Sequence, residues 1–116
     1  VYMRAPAAPE NSPLFDYTLA PYGMRSTFPM DWLRHMDLHK GYAFTKGCSV
    51  CRIPRQEKAN RHWFDHGTLL YDTQNDPGQE HPIEDTDIEA RMIEHMRRLM
   101  KENDAPAEQY RRMGLD

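Results

Sequence analysis

Leu69-Leu70-Tyr71-Asp72-Thr73-Gln74-Asn75-Asp76-Pro77-Gly78-Gln79-Glu80-His81-Pro82 begins apolar and ends as a run of turn formers. Leu69, Leu70 and Tyr71 suit a strand, with Leu70 and Tyr71 on opposite sides of the pleat. Asp72 and Asn75 can fold their side-chain oxygens back onto nearby backbone N–H groups. Asp76-Pro77-Gly78 then supplies a fixed φ followed by a residue free to take positive φ, so Gly78 is expected in the left-handed region. The stretch predicts a strand, a tight reversal and the approach to a helix.

Downstream, Thr86 with Glu89 predicts a capping box for a helix over 87–102. Ile88, Met92, Met96, Leu99 and Met100 form its apolar stripe. Asp85, Asp87 and Glu89 at its start and Arg97, Arg98 and Lys101 near its end match the helix dipole. Asn103-Asp104 stops it, and Pro106 opens a last short helix that Gly114 ends.

Upstream, 1–4 reads as a strand. Pro6, Pro9 and Pro13 make 5–13 an extended loop. Leu14 to Leu19 suits a short strand or ordered arm, broken by Pro21 and Gly23. A short helix is expected over 29–38, with Pro29 in its first turn, Asp31 at its positive end and Gly41 after it. Residues 42–53 read as a strand with Tyr42, Phe44, Lys46 and Cys48 on one face and Ala43, Thr45, Gly47 and Ser49 on the other. Residues 54–61 are polar and loop-like, and Trp63 and Phe64 reopen a strand. The simplest topology pairs 42–53 with 62–72 as antiparallel neighbours. The expected fold is therefore α+β: a small antiparallel sheet covered on one face by a C-terminal helix and followed by a short terminal helix. Its segments are an arm and short helix (1–41), strands and turn (42–82) and the C-terminal helices (83–116).

The chain has 116 residues, a 39% hydrophobic fraction and a net charge of −3. That length is one domain or part of one. Leu, Ile, Val and Phe together number 18, thin for a self-sufficient core. Eight Met supply much of the rest, and Met fills gaps without fixing a unique packing. An exposed apolar patch is expected, meeting a larger body or a second copy of the chain. No basic stripe attracts a phosphate backbone, so nucleic acid is not an expected partner. No apolar run approaches the ~20 residues of a membrane helix. No signal peptide stands at the start, and the chain opens on Val1, which reads as a segment of a longer polypeptide.

Cys48-x2-Cys51, ten residues, and His62-x3-His66 approach the spacing of a small zinc finger, whose usual interval is about twelve. Cys48 and Cys51 on one strand would face apart, and the histidine segment reads badly as a finger helix. No structural metal is expected, and a zinc-stabilised domain on Cys48, Cys51, His62 and His66 is the rival reading.

Leu70-Tyr71-Asp72, a short spacer and Asp76-Pro77-Gly78-Gln79 before a helix resemble the C-terminal signature of sulfatases, which belong to the alkaline-phosphatase-like hydrolases. Val1-Tyr2-Met3-Arg4, residues Asn11 to Met24 and Phe44-Thr45-Lys46-Gly47-Cys48 are similar to one bacterial branch of that family. The resemblance covers most of the chain, and the central part of 52–66 matches least. It implies the C-terminal subdomain of a sulfatase-like enzyme, a sulfuric ester hydrolase. Its partner would be the N-terminal catalytic domain, with a homo-oligomer as an alternative. The parent's cofactor would be a divalent cation (calcium, magnesium or manganese), none of it held by this chain. Sulfatases carry a Cys-x-Pro-x-Arg or Ser-x-Pro-x-Arg nucleophile motif. Cys51-Arg52-Ile53-Pro54-Arg55 has its proline one place late, and the family's motif lies far upstream. No catalytic residue is therefore assigned here, and the chain alone is expected to be inactive. Tyr71, Asp72, Asp76, Pro77 and Gly78 form the structural turn, while Tyr17, Thr18, Met24, Arg25 and Lys46 are candidates for a cleft rim. A free-standing interaction module with a sulfatase C-terminal fold is the alternative from another class.

Overall fold

The computed structural model describes residues 1–23, 26–55 and 62–116, and leaves the side chain of His62 undescribed. The fold is α+β, as expected: small antiparallel sheets with a 17-residue helix and a short C-terminal helix. Among the described residues no helix is long and apolar enough to cross a membrane. The chain forms two compact units, residues 1–12 with 59–116, and residues 13–58.

The first unit pairs strand β1 (Tyr2–Met3) with β5 (Leu69–Leu70), placing Tyr2 opposite Leu70 and Met3 opposite Leu69. A short helix α2 (His62–Asp65) precedes β5 where the sequence predicts a strand. The pairing of 62–72 with 42–53 is thereby corrected: β5 takes β1 as its partner. Two-residue strands carry little pattern, and their pairing is settled by tertiary contacts rather than by propensity.

The long helix α3 spans Thr86–Glu102. Its cap differs from the expected box. Asp85 is the N-cap and its Oδ1 accepts the Ile88 N–H at 2.9 Å. The Glu89 carboxylate turns instead to the Tyr2 hydroxyl, which donates to it at 3.0 Å. Ile88, Met92, Ile93, Met96 and Met100 are half-buried on one face of α3. Leu99, expected in that stripe, is 50% exposed; it lies off the line traced by 88/89, 92/93, 96/97 and 100. The Asn103 amide closes the helix by donating to the Leu99 carbonyl at 2.8 Å. Helix α4 (Ala107–Arg112) follows, and Gly114 ends it at φ 61°.

Arginines satisfy the carbonyls beyond α4, which have no helical partner of their own. Arg4 Nε donates to Met113 O at 2.6 Å, and Arg97 Nε donates to Leu115 O at 3.0 Å. Leu115 is thereby held in the core of this unit with Leu70.

The second unit is a three-stranded antiparallel sheet with β4 (Val50–Pro54) between β2 (Phe15–Thr18) and β3 (Asp37–His39). Tyr17 lies opposite Arg52, and Leu38 opposite Cys51. Val50, Ile53 and Tyr42 are its buried apolar side chains, and Ile53 is fully enclosed. Burying such a side chain contributes on the order of 1.5–3 kcal/mol. At the rim, the Arg52 guanidinium forks the Asp37 carboxylate and Arg55 Nε donates to Asp16 at 3.0 Å. Exposed ion pairs of this kind contribute about 0–1 kcal/mol, so the core dominates.

Two expectations are corrected in this unit. The helix over 29–38 reduces to α1 (Met30–Leu33), and 37–39 leave it for the edge strand β3. One turn repays little of the cost of helix nucleation, whereas Asp37 gains the Arg52 fork. Residues 42–53 are not one strand either. Ala43–Thr45 form a 3-10 turn, followed by Lys46 at φ 52° and Gly47 at φ 78°. The Tyr42 N–H donates to Thr45 Oγ1 at 2.9 Å, and that hydroxyl lies 3.0 Å from the Cys48 carbonyl. Exposed apolar side chains include Leu19, Leu38 and Phe44, the last 79% exposed.

The turn closes only because Gly41 has no Cβ. One built there would stand 2.3 Å from the Cys48 carbonyl oxygen. Gly41→Ala is therefore expected to destabilise the protein by about 1–3 kcal/mol, the usual range for overpacking. An unchanged denaturation midpoint would contradict it.

Candidate functional site

The stretch from Tyr71 to Ile83 is held by two aspartates. Tyr71 N donates to Val1 O at 2.8 Å, carrying the β1–β5 pairing one residue further. Asp72 Oδ1 accepts the Gln74 N–H at 3.0 Å, and Oδ2 accepts the Asn75 amide at 2.7 Å. Asp76 N donates to Asp72 O at 2.8 Å, closing one turn of chain. The Asp76 carboxylate then accepts the Glu80 N–H at 3.2 Å on one oxygen and the His81 N–H at 2.9 Å on the other. Ile83 N finally donates to Leu70 O at 2.8 Å, returning the chain to β5. Hydrogen bonds to the charged form favour it. The Asn75 amide and the Gln74 N–H accordingly lower the Asp72 pKa, and the His81 and Glu80 N–H groups lower that of Asp76.

The positive φ falls one residue later than expected. Gln79 sits at φ 54°, and Gly78 is not among the described residues of positive φ. The hydrogen bonds explain the shift: Gln79 N donates to Asp76 O at 3.1 Å, so the next two N–H groups must swing back onto the carboxylate. A Cβ at Gly78 would meet the Glu80 side chain at 3.4 Å or more.

The candidate rim residues divide. Tyr17 and Thr18 line a hollow of about 320 Å3 in the second unit, with Leu19, Tyr42, Phe44 and Thr45 among their neighbours. Tyr17 meets His39 and Tyr42 edge-on, at 5.3 and 5.7 Å between ring centroids. Phe44 stacks flat on Tyr42 at 5.3 Å. Lys46 does not line this hollow; it is exposed in the left-handed turn after Thr45. Met24 and Arg25 lie outside the described residues.

Cys48 is exposed in the turn before β4, so the strand phase expected to separate it from Cys51 does not apply. Cys51 lies within the sheet, opposite both Thr18 and Leu38. Both cysteines belong to the second unit and His66 to the first. Among the described residues no three His, Cys, Asp or Glu side chains are grouped to hold a metal ion. In Cys51-Arg52-Ile53-Pro54-Arg55 the two arginines are engaged by Asp37 and Asp16, and Ile53 fills the core.

A feature that the sequence does not signal lies in the first unit. A cavity of about 830 Å3 is walled by Met3, Leu69, Trp63, Met96 and Met113, with Arg4, Asn11, His66 and Arg112 also on its lining. Among the described residues no carboxylate lines it. Arg112 donates through Nε and Nη2 to Gln109 Oε1 at 3.1 and 2.6 Å, and through Nη1 to Asn11 Oδ1 at 2.7 Å. Burial lowers its pKa; an arginine nonetheless stays charged in proteins. Arg4 donates to Tyr2 Oη at 3.0 Å and lies 3.9 Å from Glu89.

Comparison of the chain with protein-family models, curated proteins and solved structures returned no match.

A left-handed backbone costs a non-glycine residue roughly 1–2 kcal/mol. Gln79→Gly is expected to stabilise the protein by up to about 1 kcal/mol, because glycine's greater unfolded-state entropy cancels part of the relief. Urea denaturation reads this directly, and a lower midpoint for Gln79→Gly would contradict it.

Proposed function

We propose that this chain is the C-terminal part of a sulfatase-like hydrolase, completing the fold of the enzyme and walling part of its substrate cleft. The observation that carries the reading is the coincidence of Tyr71-Asp72 and Asp76-Pro77-Gly78-Gln79 with one continuous unit of strand, aspartate-held reversal and helix. The signature's polar residues have structural work in that unit: Asp72 and Asp76 each hold two N–H donors. The upstream blocks Val1 to Arg4, Asn11 to Met24 and Phe44 to Cys48 support the same reading through their resemblance to the bacterial branch.

On this reading the reaction is sulfate ester hydrolysis, with phosphate or phosphonate esters as further substrates of the same metal-assisted geometry. The nucleophile and the divalent cation belong to the catalytic domain. This chain's contribution is shape: Tyr17, Thr18 and Phe44, the last stacked on the buried Tyr42, form the wall it offers to the cleft.

The polypeptide encoded upstream of Val1 is expected to contain a Cys-x-Pro-x-Arg or Ser-x-Pro-x-Arg motif. Joined to this chain, it should hydrolyse 4-nitrophenyl sulfate with a divalent cation. The 116-residue chain alone should give no turnover above buffer. An upstream frame without the motif, or chelator-sensitive turnover by the chain alone, would overturn the proposal.

A further inference from the structure

The cavity of the first unit has a composition that its structural duties do not explain. Its walls combine thioether, aliphatic and indole surface with two arginines and a histidine, and among the described residues no lining side chain carries negative charge. Its volume of about 830 Å3 falls in the ~300–1,000 Å3 range of small-molecule sites. Arg4 has a carboxylate within reach, Glu89 at 3.9 Å. Among the described residues the acceptors of Arg112 are neutral, the amide oxygens of Gln109 and Asn11. Those bonds use three of its five N–H groups, and among the described residues none takes the remaining two. A half-buried cation without a counter-charge is costly to leave uncompensated. Its planar guanidinium suits the two oxygens of a carboxylate better than a point charge would.

We propose that this cavity binds a small organic carboxylate with an apolar body, the head group on Arg112 and the body against Met3, Leu69, Met96 and the face of Trp63. The two parts of the site divide the task. The apolar wall supplies affinity in proportion to the hydrocarbon it covers. Arg112 supplies the choice of an acid over the matching alcohol. Asn11 and Gln109 fix the guanidinium in place, so little side-chain entropy is lost when the acid arrives. The site does not rest on the sulfatase-like reading: Met3, Arg4, Asn11 and Tyr71 share in that resemblance, but Arg112, Trp63, Met96 and Met113 do not.

Octanoate, 1-octanol and acetate separate the contributions. In a Trp32→Phe background Trp63 is the sole indole, and its emission reports the cavity wall. Octanoate is expected to shift that emission saturably with one site per chain. Binding of 1-octanol should be about tenfold weaker, and acetate at the same concentrations should leave the emission unchanged. Arg112→Met should weaken octanoate about tenfold and leave octanol unchanged. Ala5→Phe, which puts a ring on the cavity wall and keeps Arg112 itself, should weaken both. Should Arg112→Met fail to fold by circular dichroism, the octanoate-to-octanol ratio and Ala5→Phe decide the matter. Equal binding of octanoate and octanol, unchanged octanoate binding in Ala5→Phe, or no saturable response to octanoate would overturn the proposal.

Discussion

The Asp76 carboxylate accepts two successive backbone N–H groups, those of Glu80 and His81, and the geometry of the first unit follows from that capture. Polypeptide leaving β5 would otherwise have several exposed N–H groups and no reason to turn. With both oxygens occupied, the chain is forced through Gln79 in the left-handed region and returned to Leu70 by the Ile83 N–H. The start of α3 then lies where Asp85 can cap it and where Glu89 can meet Tyr2 on β1. From there the half-buried face of α3 runs to Arg97, whose bond to Leu115 O fastens the segment after α4.

That last segment and the opening one are joined by arginine rather than by a large apolar core. Arg4 holds the Met113 and Gly114 carbonyls, Arg112 holds Asn11, and Ala7 N donates to Arg112 O at 2.8 Å. With so few Leu, Ile, Val and Phe in the chain, directed hydrogen bonds from half-buried guanidinium groups replace part of the missing packing. Bonds to charged groups are worth roughly 1.5–3 kcal/mol where water is partly excluded. Arg112 serves as a clamp through three of its N–H groups and is also one of the cavity's lining residues. The second unit solves the same shortage differently, with Val50 and Ile53 buried on the central strand itself and a stacked aromatic group of His39, Tyr42 and Phe44.

What could be read from the sequence follows from how local each cause is. Helices α3 and α4 were legible because periodicity, charge order and the stops at Asn103 and Gly114 all act within a few residues. The strand at Leu69-Leu70 and the reversal after it were legible for the same reason, although the φ assignment to Gly78 missed that two amides would be drawn onto one carboxylate. The cap at Asp85 was one residue from the expected Thr86, because Tyr2, more than eighty positions away, takes Glu89 out of the box. Strand pairing was not legible. Residues 42–53 have the composition of a strand, and only the approach of Cys48 O to Gly41 reveals a 3-10 turn. The cavity was the least accessible, since residues as distant as Arg4 and Met113, 109 positions apart, meet only in the folded chain.

Amide hydrogen exchange at Glu80 and His81, followed against pH, reads the grip of the Asp76 carboxylate on the chain. Asp76 has its pKa lowered from an ordinary 3.8, so its hydrogen bonds are fully present above that value and are lost as pH falls through the lowered one. Both amides are expected to exchange more slowly than in a free peptide at neutral pH. The protection should fade in acid below the ordinary carboxylate value and be missing at all pH values in Asp76→Ala. Free-peptide exchange of both amides at neutral pH in the unaltered chain, or full protection surviving in Asp76→Ala, would contradict it.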